Sequence, residues 1–362
     1  MTAVPAPDGA ANAAGNGQAS CPATTLAFAG ALTGGNARPG IVNGAQLAVD
    51  QHNRANPNCQ VQLKRFDTGG TAEKAPEVVT RLITDSSVLG AVGLPLSAES
   101  KATGAIFEEG GLTHLTPSAT DPVLTRNNWS TFFRVPAGDA VQGPAAATFM
   151  TGRLGARKVC VVQDDSGYAN GLAGAVSKAL GPAGANCRNK VTAGQKDFSP
   201  VISKVVAAKP DVVLYAGYGP DGARFDKQLT AKGFRGQFVG SDAVLDDAFV
   251  RAAGTAADNA FFTCACAPGA LLPGFADAYK GIAGGAEPPA YSAEAYDAAT
   301  VLLKAIDAGA RDRGAVKEFV RGYRGPGYSR ELGWDPAGDP VTRTVHGYKV
   351  EKGRIAYVGP IG

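Results

Sequence analysis

The stretch from Val88 to Leu124 most constrains what this chain can fold into, because two short apolar runs in it each lead to small hydroxyl residues. The run Val88 to Gly93 is typical of a buried parallel strand, and a second strand ends in Thr116 to Thr120. Ser97 begins a helical pattern, where we expect it to cap a helix whose N-terminus attracts an anion such as a carboxylate. The carboxyl ends of parallel strands are where open α/β folds bind ligands. The alternative is that Ser97 and Thr120 are only a cap and a turn.

Short apolar strands and amphipathic helices alternate over most of the chain. The first series is β-α-β-α-β-α-β, which predicts a parallel sheet, and the same pattern then restarts. The predicted strands are, in order, Leu26–Leu32, Val61–Phe66, Val88–Gly93, Leu112–Leu115, Thr131–Val135, Lys158–Gln163, Cys187–Val191, Asp211–Tyr215, Gln237–Val239 and Ala260–Cys264. The helices after Pro268 have no strands of their own, so we expect them to cover the first half. A closing hairpin, His346 to Val358, is expected to join the second half.

The predicted fold class is therefore α/β, with two Rossmann-like lobes whose parallel sheets are joined by a hinge. A length of 362 residues suits two domains. We expect lobe 1 to comprise residues 21–140 and 267–341, and lobe 2 to comprise residues 141–266 and 342–362. Residues 1–20 are small, polar and rich in Gly, Ala and Pro, which predicts a disordered tether.

Charge and hydropathy exclude several classes of partner. The net charge of +3 indicates neither a nucleic-acid partner nor a membrane-surface partner, and no run of 18 apolar residues suggests a membrane span. The first 20 residues have neither a charged n-region nor an apolar h-region, so they are not a signal peptide. Either the protein is cytoplasmic or a signal segment has been removed from it.

Four of the six cysteines occur near the starts of predicted strands. Cys21 and Cys59 each precede a strand, whereas Cys160 lies in a strand and Cys187 begins the next one. Each pair could bridge neighbouring parallel strands at similar heights, which favours Cys21–Cys59 and Cys160–Cys187 disulfides and an export compartment. The alternative is that all are buried free thiols.

The remaining cysteines, Cys264 and Cys266, are separated by one residue. Residues i and i+2 of an extended strand share a face, but their Cβ atoms lie too far apart to bond, so a Cys264–Cys266 disulfide would need a kink. The chain contains no phosphate-binding loop, no GxGxxG after a strand, no GxSxG and no HExxH. Its three histidines are scattered, so we expect no metal, cofactor or catalytic residue.

The remaining candidate binding groups are polar side chains that follow predicted strands. They are Ser97, Ser118, Thr120, Tyr168, Tyr218 and Asp242. Hydroxyls and backbone amides of the first lobe suit a carboxylate, whereas the carboxylate of Asp242 in the second lobe suits an ammonium. The tyrosines offer hydroxyls together with apolar faces. This set predicts a site for a zwitterion. The alternative for Asp242 is a turn-forming residue after a strand.

The chain also resembles a known family from Thr25 to Gly362. It resembles the type I periplasmic binding proteins, and specifically the leucine/isoleucine/valine-binding proteins of bacterial ABC transporters. The resemblance rests on Gly30–Gly34, Asn43–Ala45, TPSATDPVLT (116–125), FFRVPAGDAVQGPAAA (132–147), DDSGYANGLA (164–173), TAGQKDFSPVI (192–202) and YAGYGPDGA (215–223). These motifs are long and occur in the order of the family.

The resemblance assigns roles to the strand-end residues. Family members hold the α-carboxylate of the ligand with a serine after the third strand and with the backbone and threonine of a turn, positions that match Ser97, Ser118 and Thr120. Tyrosines of two further loops match Tyr168 and Tyr218. The acidic residue that receives the α-ammonium matches Asp242.

The loop after the first strand departs from the leucine-binding relatives. It carries Asn36 and Arg38 and lacks the aromatic residue that lines their side-chain pocket, while Leu96 occupies the apolar wall. We expect Asn36 or Arg38 to contact the ligand side chain or its bridging waters, unless this is simply a solvated loop. The resemblance therefore implies recognition of an α-amino acid, branched-chain or other.

These observations predict a non-enzymatic solute receptor that binds an amino acid between two lobes and docks on an ABC transporter permease. We expect a monomer outside the cytoplasm, anchored as a lipoprotein or free in a periplasm, with its signal segment absent from this chain. The same fold also serves sensors that bind amino acids or amides and report to a partner protein. An enzyme on an α/β scaffold is a third reading, against which the absence of a nucleophile–base pair argues.

Overall fold

A computed structural model describes residues 12–35 and 37–361. The chain divides into two compact units, of which unit 1 comprises Met1–Ala137 and Cys266–Arg343, and unit 2 comprises Gly138–Ala265 and Thr344–Gly362. The chain therefore passes from one unit to the other at residues 137–138, 265–266 and 343–344. Asn36 and residues 1–11 of the expected tether lie outside the described residues.

Unit 1 begins with alternating strands and helices, as the apolar periodicity predicts. They are β1 (Thr24–Gly30), α1 (Pro39–Ala55), β2 (Val61–Asp67), α2 (Ala75–Thr84), β3 (Val88–Val92), α3 (Ser97–Glu109), β4 (His114–Thr116) and β5 (Phe132–Arg134). All five strands are parallel and lie in the order β2-β1-β3-β4-β5. Every residue of β3 is buried, which explains why its sequence is a continuous apolar run.

Unit 2 repeats the alternation around a second sheet. Its elements are α4 (Asp139–Thr148), β6 (Val159–Gln163), α5 (Gly167–Leu180), β7 (Arg188–Lys190), α6 (Ser199–Ala208), β8 (Val212–Ala216), α7 (Gly219–Ala231), β9 (Gln237–Gly240), α8 (Asp247–Ala253) and β10 (Ala260–Cys264).

The last part of the chain returns to both units. Unit 1 receives α9 (Phe275–Ile282), α10 (Ser292–Asp307), α11 (Arg313–Gly322) and the two-stranded ribbon of β11 (Arg324–Pro326) and β12 (Glu331–Gly333). Unit 2 receives the closing hairpin of β13 (Val345–Glu351) and β14 (Arg354–Ile361). The hairpin is antiparallel to β10 and completes a sheet with the order β14-β13-β10-β9-β8-β6-β7.

Two glycines permit close backbone approaches in unit 1. Gly44 lies on α1 where a Cβ atom would collide with the backbone oxygen of Ser292 on α10, so the two helices can pack closely only with glycine there. Gly93 follows β3 with a φ of 134°, a backbone conformation that side chains rarely allow. It carries the chain from the strand into the loop that precedes α3.

Residues 12–20 are folded, in contrast to the disordered tether that their composition predicts. The amide of Ala13 donates to the hydroxyl of Tyr296 at 3.2 Å, and Ala13 is buried. The side chain of Asn56 donates to the carbonyl of Ala14 at 2.9 Å and accepts from the amide of Ala19 at 3.0 Å. Composition does not predict this order, because it comes from backbone hydrogen bonds to distant side chains together with the burial of Ala13.

The structure contains both predicted inter-strand disulfides. Cys21 is bonded to Cys59 and Cys160 to Cys187, with Cα–Cα distances of 4.5 and 4.7 Å. Cys264 and Cys266 are also disulfide-bonded, so no cysteine among the described residues is a free thiol. The alternative of buried free thiols is therefore wrong in this structure.

No helix within residues 12–35 and 37–361 combines the length and the apolar character that crossing a membrane requires.

Candidate functional site

The carboxyl-end loops of β3 and β4 are tied together in unit 1. The hydroxyl of Ser118 donates to the carbonyl of Pro95 at 2.9 Å, and the amide of Asp121 donates to the hydroxyl of Ser97 at 3.2 Å. The hydroxyl of Thr116, at the end of β4, also donates to the carbonyl of Leu94 in the loop after β3, at 2.7 Å. These bonds bring the two predicted hydroxyl-bearing loops into one connected structure.

Ser97 does not cap α3, contrary to the expectation from sequence. The helix begins at Ser97 itself, the N-cap position is Leu96, and no side chain caps the helix there. The hydroxyl of Ser97 turns instead towards the loop after β4, where the amide of Asp121 donates to it. The amides of the first turn of α3 thus remain available at an edge that favours anions.

Thr120 is the clearest polar anomaly at this edge. It is 0% exposed, and its hydroxyl has no hydrogen-bond partner among the described residues. A buried hydroxyl without a partner costs free energy, so such groups are rare in folded proteins and require an explanation. The predicted role of Thr120, binding a carboxylate, would supply that partner.

The loop after β1 is fixed at its start by an aspartate. Asp67 at the end of β2 accepts from the amides of Leu32 and Thr33 at 3.0 and 3.2 Å and from the hydroxyl of Thr33 at 2.5 Å. Arg38 occupies the N-cap position of α1 and is partly buried. Leu96 is buried beyond the end of β3, as expected for an apolar wall.

Unit 2 brings the predicted Tyr168 and the unpredicted Gln142 together at Asp242. The hydroxyl of Tyr168 donates to Oδ1 of Asp242 at 2.5 Å, and Nε2 of Gln142 donates to the same oxygen at 2.6 Å. Asp242 follows β9, Tyr168 lies in the first turn of α5 after β6, and Gln142 lies on α4. All three side chains are buried. Tyr168 and Gln142 therefore help to hold the carboxylate in a defined orientation.

The phenol of Tyr168 stays protonated and donates to Asp242. Burial, followed by the negative charges of Asp242 and Asp139, raises the pKa of Tyr168 well above its ordinary value. The hydroxyl consequently keeps its proton throughout the physiological range. Tyr218, the N-cap residue of α7, places its ring 5.6 Å from the ring of Tyr168.

Gln142 was missed by sequence reasoning, although it lies inside the quoted motif 132–147. Its Oε1 accepts from the amide of Ala265 at 2.9 Å, which forces Nε2 to face Asp242. Asp139 in the same motif was also missed, and it is buried at the first residue of α4. The only available signal was that polar residues occupy buried positions of an otherwise apolar, alanine-rich helix.

Glu99 is a second unpredicted acid, located two residues after Ser97 on α3. It is 0% exposed, one oxygen accepts from the hydroxyl of Thr68, and the other has no partner among the described residues. Burial raises the pKa of Glu99 to about 7, although hydrogen bonds from Thr68 and from the Leu96 amide oppose the shift. A carboxyl that is partly protonated near neutral pH therefore belongs to the first turn of α3.

Comparison with known proteins extends these observations. The family model described as periplasmic binding protein matches residues 24–354 of this chain. An amino acid binding protein of Pseudomonas aeruginosa is 28% identical over 323 residues, which cover 87% of this chain and 86% of that protein. A leucine-, isoleucine-, valine-, threonine- and alanine-binding protein of the same organism is 30% identical over 324 residues, with the same two coverages.

Solved structures show the same similarity. A leucine binding protein from Thermotoga maritima is 28% identical and superposes with a TM-score of 0.83, covering 94% of this chain and 99% of that one. A branched-chain amino acid transporter substrate binding protein from Streptococcus pneumoniae, in complex with isoleucine, is 25% identical with a TM-score of 0.86, covering 94% and 100%. The two-unit α/β architecture and its parallel sheets are thus shared with solute-binding proteins.

Proposed function

Because this chain belongs to the periplasmic binding protein family, type I, we propose that it is the extracytoplasmic receptor of an ABC importer and that its solute is a free α-amino acid. Its relatives are solute-binding proteins and not enzymes. The observation that carries the choice of solute is the buried carboxylate of Asp242, held by Tyr168 and Gln142. Such a group is suited to a cation that enters a water-poor site.

The ammonium end of the ligand is assigned to unit 2. A charged hydrogen bond between an ammonium and a carboxylate contributes about 1.5–3 kcal/mol, and burial strengthens it because water no longer competes. Tyr168 and Gln142 keep Oδ1 of Asp242 in place before binding, so little ordering free energy is lost when the ligand arrives. The ring of Tyr218 covers the same region with an apolar face.

The carboxylate end is assigned to unit 1. The unpartnered hydroxyl of Thr120 and the first-turn amides of α3 can donate to an anion, and the helix N-terminus favours negative charge. Ser118 contributes through its backbone, because its hydroxyl is already engaged with Pro95. Ser97 accepts from Asp121 and retains its own proton for donation to the ligand.

The side chain of the ligand is assigned to the region of Leu96 and the loop after β1. Leu96 offers an apolar contact, whereas Arg38 and Asn36 offer polar ones, so the chain is suited to more than branched aliphatic ligands. We propose that the liganded form is the one a membrane permease recognises.

A calorimetric screen of the full chain tests the proposal. The twenty amino acids are compared with the matching deaminated acids and with the matching amino-acid amides. We expect an α-amino acid to bind, and we expect loss of either the amine or the carboxylate to weaken binding at least about tenfold, the equivalent of one charged hydrogen bond. A parent protein that prefers acids without an amine would overturn the assignment of Asp242 and the choice of solute.

A further inference from the structure

We propose that unit 1 contains a second site, which binds a zinc ion when the Cys21–Cys59 disulfide is reduced, through four side chains: Cys21, Cys59, His52 and Asp307. His52 lies in the last turn of α1 and Asp307 ends α10. Cys59 precedes β2 by two residues, so this site lies at the amino ends of the strands. It is therefore at the opposite edge of the sheet from Thr120 and does not depend on the proposed function.

The ligand atoms are already close together. One atom each from His52, Cys59 and Asp307 lies within 4.8 Å of the other two, and Nε2 of His52 is 2.8 Å from Oδ1 of Asp307. Cys21 adds a fourth ligand because its sulfur is bonded to that of Cys59. Zinc bonds of roughly 2.0–2.3 Å place neighbouring ligands of a tetrahedral site about 3.3–3.8 Å apart, so only small shifts are needed.

A neighbouring residue orients the imidazole correctly. Nδ1 of His52 lies 3.3 Å from the side-chain oxygen of Asn53, which leaves Nε2 directed at Asp307. A hydrogen bond from the second ring nitrogen to an oxygen is what fixes the tautomer of metal-binding histidines. His52 and Cys59 are fully buried, so these two ligands are shielded from bulk water.

Cys21 is held in place by more than the disulfide. Its amide donates to the carbonyl of Asn58 at 3.1 Å, next to Cys59. The preceding segment is fastened by the side chain of Asn56, and Arg311 donates to the carbonyl of Ser20 at 2.9 Å. Reduction therefore leaves both thiols near each other, because these hydrogen bonds do not depend on the sulfur–sulfur bond.

The chemistry balances with a dithiol as reductant. The dithiol gives two electrons and two protons, is itself oxidised to a disulfide, and converts the Cys21–Cys59 bond to two thiols. Zinc then displaces one proton from each thiol and also the proton that Nε2 of His52 donates to Asp307, and all three protons pass to the solvent. His52 binds through Nε2 as the neutral imidazole and keeps its proton on Nδ1 for Asn53, while Asp307 binds as the carboxylate. A set of two thiolates, one imidazole and one carboxylate is closed and four-coordinate, as structural zinc sites are.

Cobalt titration of the reduced full chain tests the site, because cobalt(II) in a tetrahedral thiolate site gives charge-transfer and ligand-field bands. We expect one cobalt per chain in the reduced parent, displaced by zinc, and none in the disulfide form. Cys160→Ser/Cys187→Ser and Cys264→Ser/Cys266→Ser serve as matched controls and should keep the bands. Cys21→Ser/Cys59→Ser should lose them.

Two further variants separate a metal site from a folding effect. His52→Gln and Asp307→Asn retain both cysteines, and we expect each to shift the ligand-field bands and to weaken cobalt binding at least about tenfold. Zinc should also raise the Tm of the reduced parent and leave that of the disulfide form unchanged. Bands that persist in Cys21→Ser/Cys59→Ser, or that are unchanged in His52→Gln, would overturn the proposal.

Discussion

Tyr168 donates its hydroxyl to Asp242 across 2.5 Å, and both side chains are almost entirely buried. Because the pKa of the phenol lies well above its ordinary value, the bond has one direction at every physiological pH. The hydrogen bond thus helps to fix the position of the carboxylate. Under the proposed function, this arrangement would place the carboxylate in position for the ligand ammonium before binding.

Replacing Asp242 with Asn should weaken the binding of amino acids far more than the binding of acids that lack the amine. The variant keeps the shape of the side chain but removes the charge that pairs with the ammonium, so affinity for an amino acid should fall roughly 10- to 150-fold. Affinity for the deaminated acid should change little. Calorimetry on both ligands measures the difference, with Asp165→Asn as a control, since Asp165 is an exposed aspartate of the same unit. Equal losses for both ligands would contradict the role of Asp242.

The two donors to Asp242 should differ in their effect on stability. Gln142→Met removes a donor and also strands the amide of Ala265, a loss that costs about 1–3 kcal/mol of unfolding free energy. Tyr168→Phe removes the other donor without stranding any backbone group. We expect both variants to bind the amino acid more weakly, and only Gln142→Met to unfold markedly earlier in urea. A Tyr168→Phe variant with parental affinity would show that Asp242 needs no second donor.

Thr120→Val should stabilise the unliganded protein and weaken binding at the same time. Valine has the shape of threonine without the buried hydroxyl that has no partner, so the unfolding free energy should rise by about 1 kcal/mol. The ligand carboxylate would lose a donor, and affinity should fall about 5- to 10-fold. Thr120→Ser, which keeps the hydroxyl, is the control. If stability rises and affinity is unchanged, Thr120 does not contact the ligand.

Glu99→Gln should remove a pH dependence of stability. The pKa of Glu99 is about 7 in the folded chain against an ordinary value of 4.5, because burial penalises the charged form. Between these values the folded state holds a proton that the unfolded state has released, so stability falls as pH rises through this window. The fall has a slope of at most about 1.4 kcal/mol per pH unit. Glutamine cannot ionise.

Urea unfolding of the parent and of Glu99→Gln at pH 5 and pH 8 measures this contribution. We expect the variant to be more stable than the parent at pH 8 and close to it at pH 5. Parallel pH profiles for the two proteins would mean that Glu99 titrates at the same pH in the folded and unfolded chains.

Arg38→Ala should change which amino acids bind best. Arg38 lies at the start of α1, in the loop that we assign to the ligand side chain. Loss of its guanidinium should weaken the binding of acidic and polar amino acids more than the binding of aliphatic ones. Competition calorimetry over a panel of amino acids measures the ranking, and Arg54→Ala, at the far end of the same helix, is the matched control. An unchanged ranking would favour the solvated-loop interpretation.

The fold class could be predicted from the local pattern of apolar and polar residues. A fully buried strand such as β3 must be apolar along its whole length, and such runs separated by amphipathic helices leave few alternatives to a parallel sheet. Strand ends also restrict where candidate ligand-binding residues can lie, which is why the positions of Ser97, Tyr168 and Asp242, together with the family resemblance, led to their prediction as site residues.

Tertiary structure decided what those positions do. Whether the hydroxyl of Ser97 caps its own helix or accepts from Asp121 depends on a loop 24 residues away. The orientation of Gln142 depends on the amide of Ala265, 123 residues later, and the pairing of His52 with Asp307 spans 255 residues. Periodicity indicates which face of a helix or strand is buried, but it does not indicate which residues that face contacts.

The sequence by itself thus determined the fold class, the alternation of elements and the edge at which polar residues collect, because burial and backbone geometry act over a few residues. Only the folded chain decided the raised pKa of Glu99, the lack of a partner for the Thr120 hydroxyl within the described residues, and the hydrogen bonds from Tyr168 and Gln142 to Asp242. Desolvation and hydrogen bonding depend on atoms brought together from distant parts of the chain, and these interactions set the charge that a ligand meets.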